Sequence, residues 1–426
     1  MAKELTGKKE AAGLRDEHLP KLTYEEAIGT VIERIRPLPG VNLPVLEARG
    51  RVLAAPVYAR WDLPTADNSA MDGYAFLFEG QKPDDVLPVI GTSTAGAPFD
   101  GPVSAGEAVK IMTGGVMPPR CDTIVPKEDV ELVAGGISLS VEIRKGSHVR
   151  RRSEEIERGQ VLASAGDVLG PVETACLAAA GITDLTVRPA PRVALFSTGD
   201  ELVEPGTVPG PGQIVNSNSL LLEGLLREEG CEVLPLGIVP DSRGALEERI
   251  REGLRADLLL STGGVSVGDH DYVKDVYGSL GAKIVFWKVR IKPGKPVLFG
   301  LLEGKPLFGL PGNPASTATT FELFVRPALR RLTGRTKVFH PRLRVVLEKD
   351  VKGGEKRERF LWGSLRGENG RYYFTPSGRQ CSGQNLTMKA AQALLPVPVA
   401  SAPMPAGSEV EVLLLKPPPG SARWGT

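Results

Sequence analysis

The sequence predicts a multidomain α/β plus β chain, with a doubly wound central α/β domain between β-rich N-terminal and C-terminal domains. Three observations carry this. An apolar strand runs into Ser-Thr-Gly twice, at 193–196 before Ser197, Thr198 and Gly199, and at 258–260 before Ser261, Thr262 and Gly263. A strand at 232–239 alternates with helical stretches at 220–229 and 245–254, the spacing of a parallel sheet with crossover helices. Finally, 50 glycines and 36 prolines imply many turns and β-rich flanks.

Composition narrows the function classes. The 426 residues allow roughly two to four domains. A net charge of +1 gives no global pull toward nucleic acid. No run of 18 apolar residues exists, so no membrane span is expected. Residues 1–14 are polar and lack the apolar stretch of a signal peptide. The 4 cysteines are scattered, which implies neither a zinc site nor a disulfide framework. Reduced thiols fit a cytoplasmic protein. With only 4 histidines, His-based metal or acid–base chemistry is not expected.

In chain order, residues 1–21 read as a loose tail, and Thr23 caps a helix over 24–35. The stretch 62–75 is rich in Asp, Asn and Ser and reads as a loop, after which 86–143 shows short strands. Arg150, Arg151 and Arg152 beside Glu154 and Glu155 read as a self-paired charge run or a functional cluster. A helix over 171–180 ends at Gly181. Strands near 343–347, 360–362, 372–375 and 410–415 follow the α/β region, with Asn369-Gly370 as a hairpin turn. The expected domains are 22–60 with 141–187, an inserted 61–140, then 188–335, then 336–416. Residues 416–426 read as disordered.

The stretch 257–271 carries the clearest site signal. Gly263, Gly264 and Gly268 free the loop for positive φ and for close approach of a ligand to backbone N–H groups. Such loops at the carboxyl ends of parallel strands bind ligands. Asp269 and Asp271 supply carboxylates suited to hard cations, as do Asp200 and Glu201 on the neighbouring loop. The plain alternative is a tight turn with solvated polar residues.

Lys288, Arg290 and Lys292 alternate with Trp287, Val289 and Ile291, which predicts a strand with one basic face. Pro293-Gly294 then turns and delivers Lys295, and no acid occurs between Lys283 and Glu303. The reading is an anion site; the alternative is an edge strand protected by lysines. Leu310-Pro311-Gly312-Asn313-Pro314 leads into a helix over 315–332, with Asn313 as N-cap and Pro314 at its first position. Gly264-Val-Ser266-Val-Gly268 also matches a hydrolase nucleophile elbow. Ser266 lies too far past the strand for an elbow, and His270 is too near to serve as its partner.

These pieces occur in a telling order: Asp67-Asn-Ser-Ala-Met-Asp72-Gly-Tyr-Ala75, Met112-Thr113-Gly114, Ser197-Thr-Gly-Asp-Glu-Leu202, Ser261–Gly268, Ile291-Lys-Pro-Gly-Lys-Pro296 and Leu310–Pro314. Over residues 22–416 the set closely resembles the molybdopterin molybdenumtransferases, the MoeA and gephyrin E-domain family. The resemblance implies a central domain of molybdopterin-binding type. It implies insertion of molybdate into adenylylated molybdopterin, with release of AMP and dependence on Mg²⁺. It also implies a homodimer, and as partners a molybdopterin adenylyltransferase and molybdoenzyme apoproteins.

Carried over by motif, Asp72 is the family's essential aspartate near the metal. Glu155 stands where the family often has Asp, and the same comparison gives Thr113, Lys288 and Lys292 a part in catalysis. Ser197, Thr198, Gly199, Ser261, Gly263, Gly264, Ser266, Lys295, Pro311 and Pro314 are expected at the substrate, and Glu201, Asp241 and Asp271 at the metal. The segment 394–398 departs from the family pattern and receives no role. A gephyrin-like scaffold is the alternative class, but no receptor-binding extension or long linker is evident.

Overall fold

The structure is a computed structural model that describes residues 21–265 and 272–418. They form two compact units: one is Val41–Val187, and the other combines the stretches before and after it.

In the second unit, a six-stranded sheet has the order Glu232–Val239, Arg192–Thr198, Leu258–Thr262, Lys305–Leu310, Leu298–Leu302, Lys283–Trp287. The first four strands are parallel, and Leu298–Leu302 runs against both of its neighbours. Successive residues point to opposite faces, and both faces are covered. Val193, Leu195, Leu258 and Leu260 pack with Leu222 and Leu226 of the Ser217–Glu228 helix. Ala194, Phe196 and Leu259 pack on the other side with Leu246 and Ile250 of the Arg243–Gly253 helix. The sheet is therefore doubly wound, as the sequence predicts. The Tyr24–Arg34 helix joins the first face through Ala27, Ile28 and Val31, and Thr23 and Glu26 close its N-terminus as a capping box.

Two sequence expectations change here. Lys288, Arg290 and Lys292 do not lie on one strand. The edge strand ends at Trp287, Lys288 turns at φ +77°, and a separate short strand forms at Ile291–Lys292. The burial alternation nevertheless holds: Trp287, Val289 and Ile291 are buried, while Arg290 and Lys292 are exposed. The helix over 315–332 is also interrupted. It runs as α-helix over Pro314–Thr320, as a π turn over Phe321–Val325, and again as α-helix over Arg326–Leu332. Pro327 lacks a ladder donor and its ring crowds the carbonyl of Leu323, and the wide turn lies directly before that position.

The strands Arg342–Leu347, Glu358–Glu368, Arg371–Pro376, Ala393–Val397 and Glu409–Leu414 form a closed barrel. Glu358–Glu368 pairs with both Arg371–Pro376 and Ala393–Val397, which completes the ring. Asn369 and Gly370 both take positive φ, the requirement of the expected hairpin turn. Ile291–Lys292 adds to the barrel by pairing with Glu358 and Arg359.

The Val41–Val187 unit is built on a four-stranded sheet in the order Val89–Ser93, Ala108–Ile111, Gly73–Phe76, Thr123–Pro126. The expected loop over 62–75 thus ends in a central strand. Its polar approach hides it, and Gly73 permits it. A Cβ at Gly73 would lie 2.0 Å from the carbonyl oxygen of Val125.

Candidate active site

Four strand-end loops of the α/β sheet converge on one cavity of about 630 Å³. Arg192–Thr198 supplies Thr198, Gly199 and Glu201, Glu232–Val239 leads to Asp241, Leu258–Thr262 gives Gly263 and Gly264, and Lys305–Leu310 gives Pro311, Gly312 and Asn313. This is the crevice where parallel sheets present ligand sites. Gly263 and Gly264 have φ of +91° and +61°. Their freedom is needed first by the protein itself: a Cβ on Gly263 would lie 2.1 Å from the carbonyl oxygen of Thr198.

Hydrogen bonds tie the loops together. The Thr198 hydroxyl donates to Asp241, and the Asp241 N–H donates to Asp200 Oδ1 at 3.1 Å. Asn218 Nδ2 donates to Gly312 O at 2.7 Å and to Thr262 Oγ1 at 3.2 Å. Ser197 and Ser261 are fully buried and do not line the cavity. Ser197 donates to Asn216 Oδ1, and Ser261 donates to Phe308 O. Pro314 lines the cavity at the first turn of its helix, while Asn313 makes no side-chain cap bond there.

A second cavity of about 930 Å³ abuts the first and shares Pro296, Pro311 and Asn313 with it. Lys292, Lys295, Lys352, Arg357 and Arg359 line it, against one carboxylate, Asp350. The counter-charge missing from the local sequence comes from farther along the chain, where Glu355 lies 3.4 Å from Lys292 Nζ. Lys288 is not among the residues lining either cavity; its ammonium lies over the Trp287 ring, 3.5 Å from the centroid.

Asp72, Thr113 and Glu155 belong to the Val41–Val187 unit. Thr113 donates its backbone N–H and its hydroxyl to Asp72 Oδ1, and Lys127 Nζ lies 3.6 Å from Oδ2. These bonds hold the Asp72 carboxyl below the usual carboxylate range, with the Thr113 N–H the largest cause. Asp72 and Lys127 border a small cavity of about 150 Å³ with Tyr74 and Lys110.

The arginine run is not simply self-paired. Arg150 pairs with Glu155 at 3.5 Å, but Arg151 reaches Asp67 and Arg152 reaches Asp62, each at 2.6 Å. Two of the three arginines therefore anchor the aspartate-bearing segment.

Ser266, Gly268, Asp269, His270 and Asp271 lie outside the described residues. Sequence reading passed over Lys352, Arg357 and Arg359, whose signal is a basic run at 352–359 in a region read only as strands. Asn216 and Asn218 are both residue types suited to capping the helix that follows. Asn216 does accept from Ser219 N–H, but Asn218 bridges two loops instead.

Residues 22–181 match the MoeA N-terminal region (domain I and II), 194–331 a probable molybdopterin binding domain, and 344–415 the MoeA C-terminal region (domain IV). A molybdopterin molybdenumtransferase from Nostoc sp. is 38% identical over 379 residues, spanning 86% of this chain and 87% of that relative. The chain belongs to the MoeA family. Molybdopterin molybdenumtransferase 2 from Mycobacterium tuberculosis is 34% identical, covering 92% of this chain and 98% of its own. Among solved structures, a molybdopterin biosynthesis MoeA protein from Pyrococcus horikoshii aligns with a TM-score of 0.80 and 31% identity, over 93% of this chain and 100% of that one. MoeA membership accounts for the ordered motifs and removes the reason to read Gly264–Gly268 as a hydrolase elbow. No described helix is long and apolar enough to cross a membrane.

Proposed function

We propose that the chain is a molybdopterin molybdenumtransferase that inserts molybdate into adenylylated molybdopterin and releases AMP, a step of molybdenum cofactor biosynthesis. The observation that carries this reading is the pair of abutting cavities. One has glycine-rich strand-end loops and the first turn of a helix, which suit a phosphoanhydride. The other is lined by five cationic side chains and one carboxylate, Asp350, with Glu355 paired to Lys292 and Arg359, an excess of positive charge that suits a tetrahedral oxyanion. Shared walls at Pro296, Pro311 and Asn313 keep the two ligands within reach of each other.

The work of such a site is positioning and charge neutralisation, which needs no histidine nucleophile. Lys292 and Lys295 hold the oxyanion. Thr198, Gly199, Gly263, Gly264, Pro311 and Pro314 shape the nucleotide side, and Ser197 and Ser261 support it from beneath. Lys288 adds positive charge nearby. Asp72, kept ionised by Thr113, and Glu155, set by Arg150, serve the metal-insertion step.

Among the described residues no group of three His, Cys, Asp or Glu side chains forms a metal cage. Glu201 and Asp241 do border the same cavity, and Mg²⁺ takes one or two carboxylates together with substrate phosphate oxygens. The donor set fits an ion that arrives with the phosphoanhydride, held by Glu201 and Asp241, with Asp271 a further candidate. When bound, Mg²⁺ supplies neutralisation of the phosphate charge.

The functional unit in this reading is a cytoplasmic homodimer. A molybdopterin adenylyltransferase supplies the substrate, and molybdoenzyme apoproteins receive the product. The test is AMP release from adenylylated molybdopterin. Release should rise with molybdate and stop with EDTA. Release indifferent to both would overturn the assignment, and light scattering that shows a monomer would remove the dimer.

A further inference from the structure

We infer that Asn218 reads an amino group on a planar nitrogen heterocycle bound in the strand-end cavity. The inference rests on the reading above and goes beyond it by naming a recognition residue and the chemistry it recognises. Asn218 lines the cavity. Its Nδ2 has two acceptors, Gly312 O at 2.7 Å and Thr262 Oγ1 at 3.2 Å. A carbonyl oxygen can only accept, so the bond to Gly312 fixes which end of the carboxamide is the amide nitrogen. The other end, Oδ1, is buried and has no hydrogen-bond partner in the structure. Buried side-chain acceptors are rarely left unsatisfied, and an orphaned one in a cavity marks a place for a donor.

The surroundings define the donor. Leu202, Ile214 and Val215 line the same cavity, and Ile214 is 55% exposed, so an apolar platform stands beside the orphaned acceptor. A flat ring with an N–H at its rim suits a cavity lined by both these apolar residues and Asn218. Two parts of the proposed substrate carry such an amino group, adenine and the pterin.

Calorimetric titration of the full chain and its Asn218→Ala variant, with AMP, inosine monophosphate and molybdopterin in turn, separates the cases. Loss of one hydrogen bond should weaken the amino-bearing ligand by about three- to tenfold. Weaker AMP binding with unchanged inosine monophosphate binding assigns the contact to adenine. Weaker molybdopterin binding with unchanged AMP binding assigns it to the pterin. Equal affinities for wild type and variant, or an equal loss for all three ligands, would overturn the inference, the latter by reducing Asn218 to a loop tie. If the alanine variant does not keep the wild-type melting temperature, Asn218→Ser carries the same comparison. Wild-type protein that binds none of the ligands would instead refute the functional reading itself.

Discussion

Thr113 spends two donors on one oxygen. Its N–H, at 2.9 Å, and its hydroxyl, at 2.8 Å, both reach Asp72 Oδ1 across 41 positions of sequence. The arrangement fixes the Asp72 rotamer and favours its ionised form. Thr113→Val keeps the shape and the N–H but removes the hydroxyl. The Asp72 pKa should then rise toward the ordinary carboxylate value, followed by carboxyl NMR titration. Because the folded value is depressed, the stabilisation exists above the unfolded pKa and disappears as pH falls through the folded one. The variant should lose less stability on acidification than wild type. An unchanged Asp72 titration would show that the hydroxyl contributes nothing.

Two glycines should respond to alanine with opposite signs. At Gly263 the new Cβ meets the Thr198 carbonyl at 2.1 Å and φ is +91°, so Gly263→Ala should destabilise by about 2 kcal/mol or more and distort the cavity. Gly224 sits inside the Ser217–Glu228 helix, and an added methyl there would meet nothing within 4 Å, so Gly224→Ala should stabilise by about 0.5–1 kcal/mol. Urea titration of both variants measures this. A neutral Gly263→Ala would mean the two loops are not held as described.

Arg326 is buried with Glu322 and Glu229, each at 2.6 Å, and His340 Nε2 lies 2.8 Å from Glu322. Burial pushes the Glu322 carboxyl up, but the bonds from His340 and Arg326 outweigh it and hold the group below its usual range. Glu322→Ala leaves Arg326 with a lost partner and should cost about 3–5 kcal/mol in chemical denaturation. A cost under about 1 kcal/mol would mean that Glu229 and Glu228, which lies 3.4 Å from Arg326, satisfy the guanidinium.

Glu358 should show the opposite pH behaviour. Burial, and then the charge of Glu25, push its carboxyl up to about 7, against the pull of Arg342. Its folded value exceeds the unfolded one, so its contribution is fully present at low pH and is lost as pH rises through about 7. Melting temperatures of Glu358→Gln should fall less than those of wild type between about pH 5 and 8, a window set by that raised value. Parallel curves for the two proteins would refute this.

Much of the fold was legible because it rests on local pattern. The strand at Arg192–Thr198 and its Ser-Thr-Gly exit announce themselves, and Thr23 marks a helix start. What escaped depends on distant partners. Gly73–Phe76 becomes a strand because of a close approach to Val125. The basic cavity escaped because Lys352, Arg357 and Arg359 join Lys292 and Lys295 only through tertiary packing. Arg151 and Arg152 lie more than 80 positions from the aspartates they hold, so their neighbours Glu154 and Glu155 were the natural but incomplete partners to expect.

The short strand Ile291–Lys292 belongs by sequence to the α/β region, yet its hydrogen bonds are made with the barrel strand Glu358–Glu368. A gene fusion or truncation placed at the apparent seam near residue 335 would therefore do more than drop a terminal module. It would strip the backbone partner from Lys292, which lines the basic cavity. The two regions cannot be exchanged as separate cassettes without rebuilding that pairing.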